Sequence, residues 1–231
     1  MRFIVKNTTK CGLVDLVCPL SCEGCGRIGE GLCECCKKDF LLEHRNYCPS
    51  CKKMIQERCE NCAMPFLATY MLGWKNSVVG RMVGEYKYQA RRRYGEILAE
   101  MLDAVIPYFD GEVVVVPMPT LRKHIRERGF DHTMRLAKGL AKLRGWEVQP
   151  IIQRRRETVQ VGANMERRKV QAGVAYYLRG EVREDVTYLV LDDVWTTGAS
   201  MKAVGRILNK NGAKKIVAAV LAVNLRARKF D

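Results

Sequence analysis

Two groups of residues in this 231-residue chain have types and spacings suited to chemistry. The first is a run of cysteines: Cys22 and Cys25, Cys33 and Cys36, then Cys48 and Cys51, Cys59 and Cys62. Each quartet reads CxxC, seven residues, CxxC, and the second repeats the first at an offset of 26 residues. A CxxC knuckle aims two thiolates at one ion. Two knuckles complete a tetrahedral four-thiolate zinc site, which is closed and structural rather than catalytic. Two zinc ions are therefore expected, stabilising a segment too short to bury a core of its own. Redox CxxC and iron–sulfur ligation are the competing uses, and four regular copies favour zinc. Consecutive ribbons and a cross-braced pair both fit the spacing; consecutive ribbons are preferred because each repeat is then self-contained. Cys35 is left over beside Cys36, and Cys11 and Cys18 read as plain thiols.

The second group lies in residues 187–200, TYLVLDDVWTTGAS. Residues 188–191 are short, apolar and rich in β-formers, as a strand buried on both faces of a parallel sheet requires. The run ends at two adjacent carboxylates, Asp192 and Asp193, followed by the small polar turn Thr196, Thr197, Gly198, Ala199, Ser200. Met201, Val204, Ile207 and Leu208 then fall at helical spacing, Gly212 is a stop signal, and residues 215–223 read as the next buried strand. Open α/β sheets bind ligands at the carboxyl ends of their strands. Free N–H groups at the helix start, with hydroxyls from Thr196, Thr197 and Ser200, make an anion site. The two carboxylates repel phosphate and suit hydroxyls or a divalent cation. A ribose 5-phosphate, with a phosphate at one end and a diol close by, satisfies both halves. Trp195 fits a lid or a core position equally.

Further elements must position this strand and loop. Residues 64–74 read as a link between two parts of the chain. Val78, Val79, Met82, Val83 and Tyr86 predict an amphipathic helix with a basic end, Lys87, Arg91, Arg92 and Arg93. Tyr94, Ile97, Leu98, Met101, Leu102 and Val105 predict a second helix, stopped by Pro107. Residues 112–116, EVVVV, predict a buried strand running into Pro117-Met118-Pro119-Thr120, a loop stiffened by two prolines. Basic residues follow, then a helix with Leu136, Leu140 and Leu143 on one face. This strand end is a second anion site suited to pyrophosphate, with Met118, Pro119, Arg122, Arg126, Arg128 and Lys87 as candidates. Residues 154–171 are polar, basic and aperiodic, and read as a surface loop or a lid over a polyanion. The expected architecture is a zinc-ribbon domain over 1–66 and an α/β domain with a parallel sheet over 67–231.

The net charge is +15. Residues 1–66 hold 10 Lys/Arg against 8 Asp/Glu, whereas residues 67–231 hold 30 against 17, so the positive charge sits with the phosphate loop. Its partners are anionic: phosphorylated small molecules, nucleic acid, or both. The first twenty residues carry Lys6, Lys10 and Asp15, unlike a signal peptide, and no apolar run is long enough to span a membrane. Clustered cysteines then point to the reducing cytoplasm.

The order of apolar strand, acid pair and T-T-G loop resembles the phosphoribosyl pyrophosphate (PRPP) signature of type I phosphoribosyltransferases. Joined to the cysteine quartets, it is similar to the ComF family, also called the ComFC or GntX-type DNA utilisation proteins. Carrying the resemblance are the four CxxC pairs, Tyr86-Lys87-Tyr88, residues 116–119, residues 126–130, Thr158 with Gln160, Arg167-Arg168, and residues 191–198. It implies a phosphoribosyltransferase fold, with the ribose hydroxyls on Asp192 and Asp193 and the 5-phosphate on residues 196–200. It also implies magnesium arriving with PRPP, and transferase chemistry with an unassigned acceptor. A role in bringing single-stranded DNA into the cytoplasm follows, beside a DNA-uptake helicase partner at the inner face of the membrane. Two positions depart from the family pattern: Asp131-His132 stands where Asn-Gln is usual, and Gln171 where the mobile loop has Asn. An ordinary salvage transferase and a non-enzymatic single-strand-binding module are the competing readings.

Overall fold

The computed structural model describes residues 20–56, 58–88, 93–155 and 175–224. The expected loop or lid over 154–171 lies outside these residues beyond Arg155, as do Cys11 and Cys18.

Each cysteine quartet opens on a knuckle, and the two knuckles superpose through the repeat offset. Gly26 N–H donates to Cys22 O and Lys52 N–H to Cys48 O, both at 2.8 Å. Ser21 bridges Ile28 and Tyr47 bridges Met54 in the same antiparallel way. Gly26 and Lys52 are both left-handed, with φ of 79° and 63°. A helix absent from the sequence reading, α1 (Glu34–Glu43), carries Cys36 of the first quartet in its first turn and runs toward the second.

Next come β1 (Ala68–Trp74), α2 (Val78–Tyr88), α3 (Arg93–Val105) and β2 (Val113–Pro117). They are followed by α4 (Arg122–Arg128), α5 (His132–Arg144) and β3 (Glu147–Val148). The short strands β4 (Ile152–Arg154) and β5 (Tyr176–Leu178) pair antiparallel. The chain then forms β6 (Thr187–Trp195), α6 (Ala199–Lys210) and β7 (Lys215–Val223). The main sheet is parallel, in the order β1-β7-β6-β2-β3.

Four expectations are corrected. Residues 68–74 are a sheet strand and not a link: six of the seven are buried, and β1 pairs with β7. β6 runs on through Trp195, so the acid pair lies inside the strand, with Asp192 opposite Val220. The basic stretch after β2 coils into α4, which ends at a left-handed Gly129. Leu143 is 50% exposed and off the core face of α5, while Leu136 and Leu140 are buried.

Apolar residues of α2, α3 and α5 cover one face of the sheet, where Leu20, Cys22, Leu32 and Cys33 of the first ribbon join the same core. The other face is covered by α6, Phe66 and the β4–β5 pair, with Tyr47 and Met64 packed at its edge. Trp195 is 2% exposed and belongs to this second core, so it is a packing residue. No helix among the described residues is long and apolar enough to cross a membrane.

Candidate functional site

Connectivity determines where this sheet can bind a ligand. β2 continues through α4 and α5 to its outer neighbour β3, along one face. β6 continues through α6 to β7 in the opposite direction, along the other face. The neighbours β2 and β6 therefore diverge at their carboxyl ends, the topological switch point where open α/β sheets hold ligands. Residues 117–121 line one side of this crevice and residues 192–200 the other. Met118 N–H bonds to Leu191 O at 2.8 Å, joining the two strand ends.

On the β6 side, Thr196 and Thr197 are exposed, while Gly198 is buried and left-handed at φ 73° as N-cap of α6. No side chain caps that helix start. Thr197 Oγ1 accepts from Ala199 N at 3.3 Å, and the first-turn N–H groups of a helix, which lack intrahelical acceptors, are donors suited to an anion.

The two carboxylates are held differently. Asp193 is 5% exposed. Lys87 Nζ from the end of α2 contacts its Oδ2, and His132 Nε2 from the start of α5 lies 2.6 Å from the same oxygen. The Lys87 contact is an ion pair and the His132 contact a close polar approach, neither with aligned hydrogen-bond geometry. Asp192 is half-buried, and its Oδ1 accepts from Asp193 N at 2.9 Å. Burial pushes the Asp192 carboxyl up to about 7, against the pull of Lys87. Burial draws the Lys87 ammonium down to about 8, with Asp192 opposing. Burial, then Lys87 and Arg128, hold His132 at about 3, so its imidazole is neutral. Tyr86, next to Lys87, donates to His132 O at 2.8 Å, and burial raises its hydroxyl well above the usual range.

On the β2 side, Asp131 is the N-cap of α5. Its Oδ1 accepts from Met134 N at 3.1 Å and from Thr120 Oγ1 at 2.9 Å. Its charge is thereby turned toward the start of α5 and the Thr120 hydroxyl. Arg128 Nη1 lies 3.0 Å from His132 Nδ1. Arg122 and Arg126 are exposed on α4, and Met118 is buried in the core with only its backbone at the crevice. Among the pyrophosphate candidates, Lys87 is the one the fold carries across to the acid pair. His132 belongs to the same cluster; the sequence marked it only as a departure from the family pattern.

The cysteines form two groups in consecutive pairing, Cys22-Cys25-Cys33-Cys36 and Cys48-Cys51-Cys59-Cys62, with each set of Sγ atoms within 4.8 Å of one another. Cys25 and Cys33 Sγ are 3.8 Å apart, and Cys51 and Cys59 3.5 Å. A zinc tetrathiolate with bonds of about 2.3 Å has edges of about 3.8 Å, so both donor sets fit one zinc each. Amide N–H groups of Gly24 and Cys33 point at Cys22 Sγ, as a thiolate requires.

Comparison with known proteins extends these observations. The phosphoribosyl transferase domain family matches residues 125–231. Among solved structures, the glutamine PRPP amidotransferase of B. subtilis aligns over 60% of this chain and 30% of its own, at 16% identity and a TM-score of 0.41. Competence protein ComFC of Streptococcus pneumoniae is 24% identical over 200 residues, covering 80% of this chain and 84% of its own. DNA utilization protein YhgH of Salmonella typhi is 26% identical over 217 residues, covering 80% and 94%. An alignment over 80% of the chain is longer than residues 67–231, so it takes in part of the cysteine-rich segment as well as the sheet. The similarity to these relatives over most of the chain, with the phosphoribosyl transferase domain match, supports the ComF family.

Proposed function

We propose that the chain binds PRPP in the crevice between β2 and β6 and serves a ComF-type role in handling single-stranded DNA in the cytoplasm. The observation that carries the reading is the meeting of the uncapped start of α6 and the acid pair at the switch point. The N–H groups and hydroxyls of residues 196–200 receive the 5-phosphate, and the ribose hydroxyls sit on the acid pair. Residues 118–120 and the cations Arg122, Arg126 and Arg128 flank the pyrophosphate. Magnesium, arriving with that pyrophosphate, offsets its charge. The domain boundary near residue 66 and the oxocarbenium-type transfer chemistry are part of this reading, with the acceptor open.

The DNA component draws on the relatives, whose names record competence and DNA utilization, and on the basic balance of residues 67–231. A single-strand partner and a helicase of the uptake machinery fit that charge. The deciding experiment is calorimetric titration of PRPP, with and without magnesium, into the purified protein. Saturable binding that strengthens with magnesium supports the reading. No binding under either condition defeats it. Pyrophosphate release that requires a nucleobase would favour the salvage transferase instead.

A further inference from the structure

The two carboxylates of the acid pair stand in different surroundings, and that difference divides their work. We propose that Asp193 is a positioning residue locked by Lys87 and His132, and that Asp192 alone receives the ribose hydroxyls. The inference rests on PRPP occupying the crevice.

Asp193 is walled in. Its side chain is 8% exposed and that of His132 6%, while Lys87 is 15% exposed. The imidazole is fixed from several directions. Tyr86 donates to the His132 backbone carbonyl, Arg128 Nη1 stands 3.0 Å from Nδ1 and 3.4 Å from Nε2, and Nε2 also faces Thr133 Oγ1 at 3.3 Å and Asp193 Oδ2 at 2.6 Å. An N–H on Nε2 and a lone pair on Nδ1 satisfy both neighbours, and a neutral ring is the species that burial and the nearby cations favour. A ribose hydroxyl would have to displace Lys87 or His132 from Oδ2, or reach Oδ1 of a side chain that is 8% exposed.

Asp192 has the opposite character. It is half-buried where Asp193 is buried, and among the described residues its Oδ1 accepts from Asp193 N–H. Its remaining lone pairs are available to neighbouring hydroxyls. The same peptide links the two roles: Lys87 and His132 hold the Asp193 side chain, the side chain fixes its backbone, and the backbone N–H aims Asp192.

The test uses the full-length zinc-loaded protein with PRPP, ribose 5-phosphate and inorganic phosphate as separate probes, and thermal unfolding as an independent readout. Asp192→Asn should weaken PRPP and ribose 5-phosphate about 10- to 100-fold, leaving inorganic phosphate affinity unchanged. Asp193→Asn and Lys87→Met should each lower Tm, and the double variant should recover most of the loss, because neither charge is then stranded. Asp193→Asn should also shift the His132 imidazole nitrogen resonances. Asp193→Asn weakening PRPP as much as Asp192→Asn at unchanged Tm overturns the role split. So does a double variant no more stable than the singles. If Asp193→Asn does not fold, Lys87→Met and the double variant still decide the lock. Absence of PRPP binding by the unaltered protein removes the binding reading, whereas the Tm cycle reports on the lock regardless.

Discussion

A Cβ placed on Gly198 would lie 2.1 Å from Cζ2 of Trp195. The indole, stacked edge-on against Phe66 at 6.4 Å, is therefore the floor on which the phosphate loop rests. Sequence gives one reason for a glycine here, close backbone approach to a ligand. The fold gives two more, a left-handed φ and the ring beneath. Gly198→Ala should cost about 2–5 kcal/mol, from overpacking of about 1–3 and left-handed strain of about 1–2. It should abolish binding of inorganic phosphate as well as PRPP. Equilibrium denaturation and phosphate titration check both, and an unaffected phosphate affinity would show that residues 196–200 are not the anion site.

Legibility in the sequence followed periodicity and spacing. Val79, Met82, Val83 and Tyr86, or Leu98, Met101 and Leu102, announce helices because one face of each must be apolar. The cysteine repeat announces its knuckles because ligand geometry dictates spacing. β1 was missed because all but one of its residues are buried, leaving no alternation, and Gly73 and the preceding Pro65 imitate a linker. α1 has no apolar stripe and no buried residue; the quartets on either side fix it rather than its own pattern. At the candidate site, the acid pair and T-T-G loop were visible as a contiguous motif. The Lys87–Asp193–His132 cluster was not, because three elements bring it together and local spacing carries no trace of that. Asp131 misled for a related reason: its charge was apparent, but its role as an N-cap appears only once α5 has a defined start.

The knuckle repeat makes a prediction about single residues. Gly26 and Lys52 occupy the same left-handed position, one without a Cβ and one with it. Gly26→Ala should destabilise the first ribbon by about 1–2 kcal/mol. Lys52→Gly should be neutral or stabilising, since relief of the dihedral offsets the glycine entropy of about 0.5–1 kcal/mol. Competition with a zinc chelator, read as zinc release against chelator concentration, checks the pair. Equal responses of the two variants would mean that the knuckles are not equivalent.

The second ribbon should also protect the sheet edge. Asn46, just before that ribbon, uses its side-chain amide as a strand would. Nδ2 donates to Thr69 O at 2.8 Å, and Oδ1 accepts from Met71 N at 3.2 Å. His44 Nε2 meets Met71 O at 2.9 Å. β1 is an edge strand, and an uncovered edge invites pairing with other chains. Asn46→Ala should cost about 1–3 kcal/mol for the unsatisfied backbone groups. Chelating both zinc ions should expose the edge, giving concentration-dependent aggregation visible by light scattering. A metal-free protein that stays monomeric at high concentration would show that the ribbons do not guard β1.

Proton linkage separates Asp192 from His132 by sign. The Asp192 carboxyl is raised in the folded state to about 7. Its favourable contribution is complete below the unfolded value near 3.8 and is lost as pH rises through about 7. His132 is depressed to about 3. Its contribution is complete above the unfolded value of 6.5 and is lost as pH falls toward about 3. Between about pH 4 and 6.5 the two groups bind protons in opposite states of the chain, and their slopes, each at most about 1.4 kcal/mol per pH unit, oppose one another. Burial is the main cause of both shifts; Lys87 from α2 acts on both groups, and Arg128 from the end of α4 and His124 act on His132. His132→Asn should therefore gain stability relative to the parent as pH falls through this window, and Asp192→Asn should lose it. Urea unfolding at half-unit steps from pH 4 to 7, analysed as differences from the parent, gives the two slopes. Ligand binding adds a second reading. PRPP affinity should rise with pH through about 7 in the parent as Asp192 ionises, and this component should vanish in Asp192→Asn while ionisation of the ligand phosphates remains common to both. Parallel pH profiles for parent and Asp192→Asn would mean that Asp192 titrates elsewhere and does not receive the ribose hydroxyls as a carboxylate.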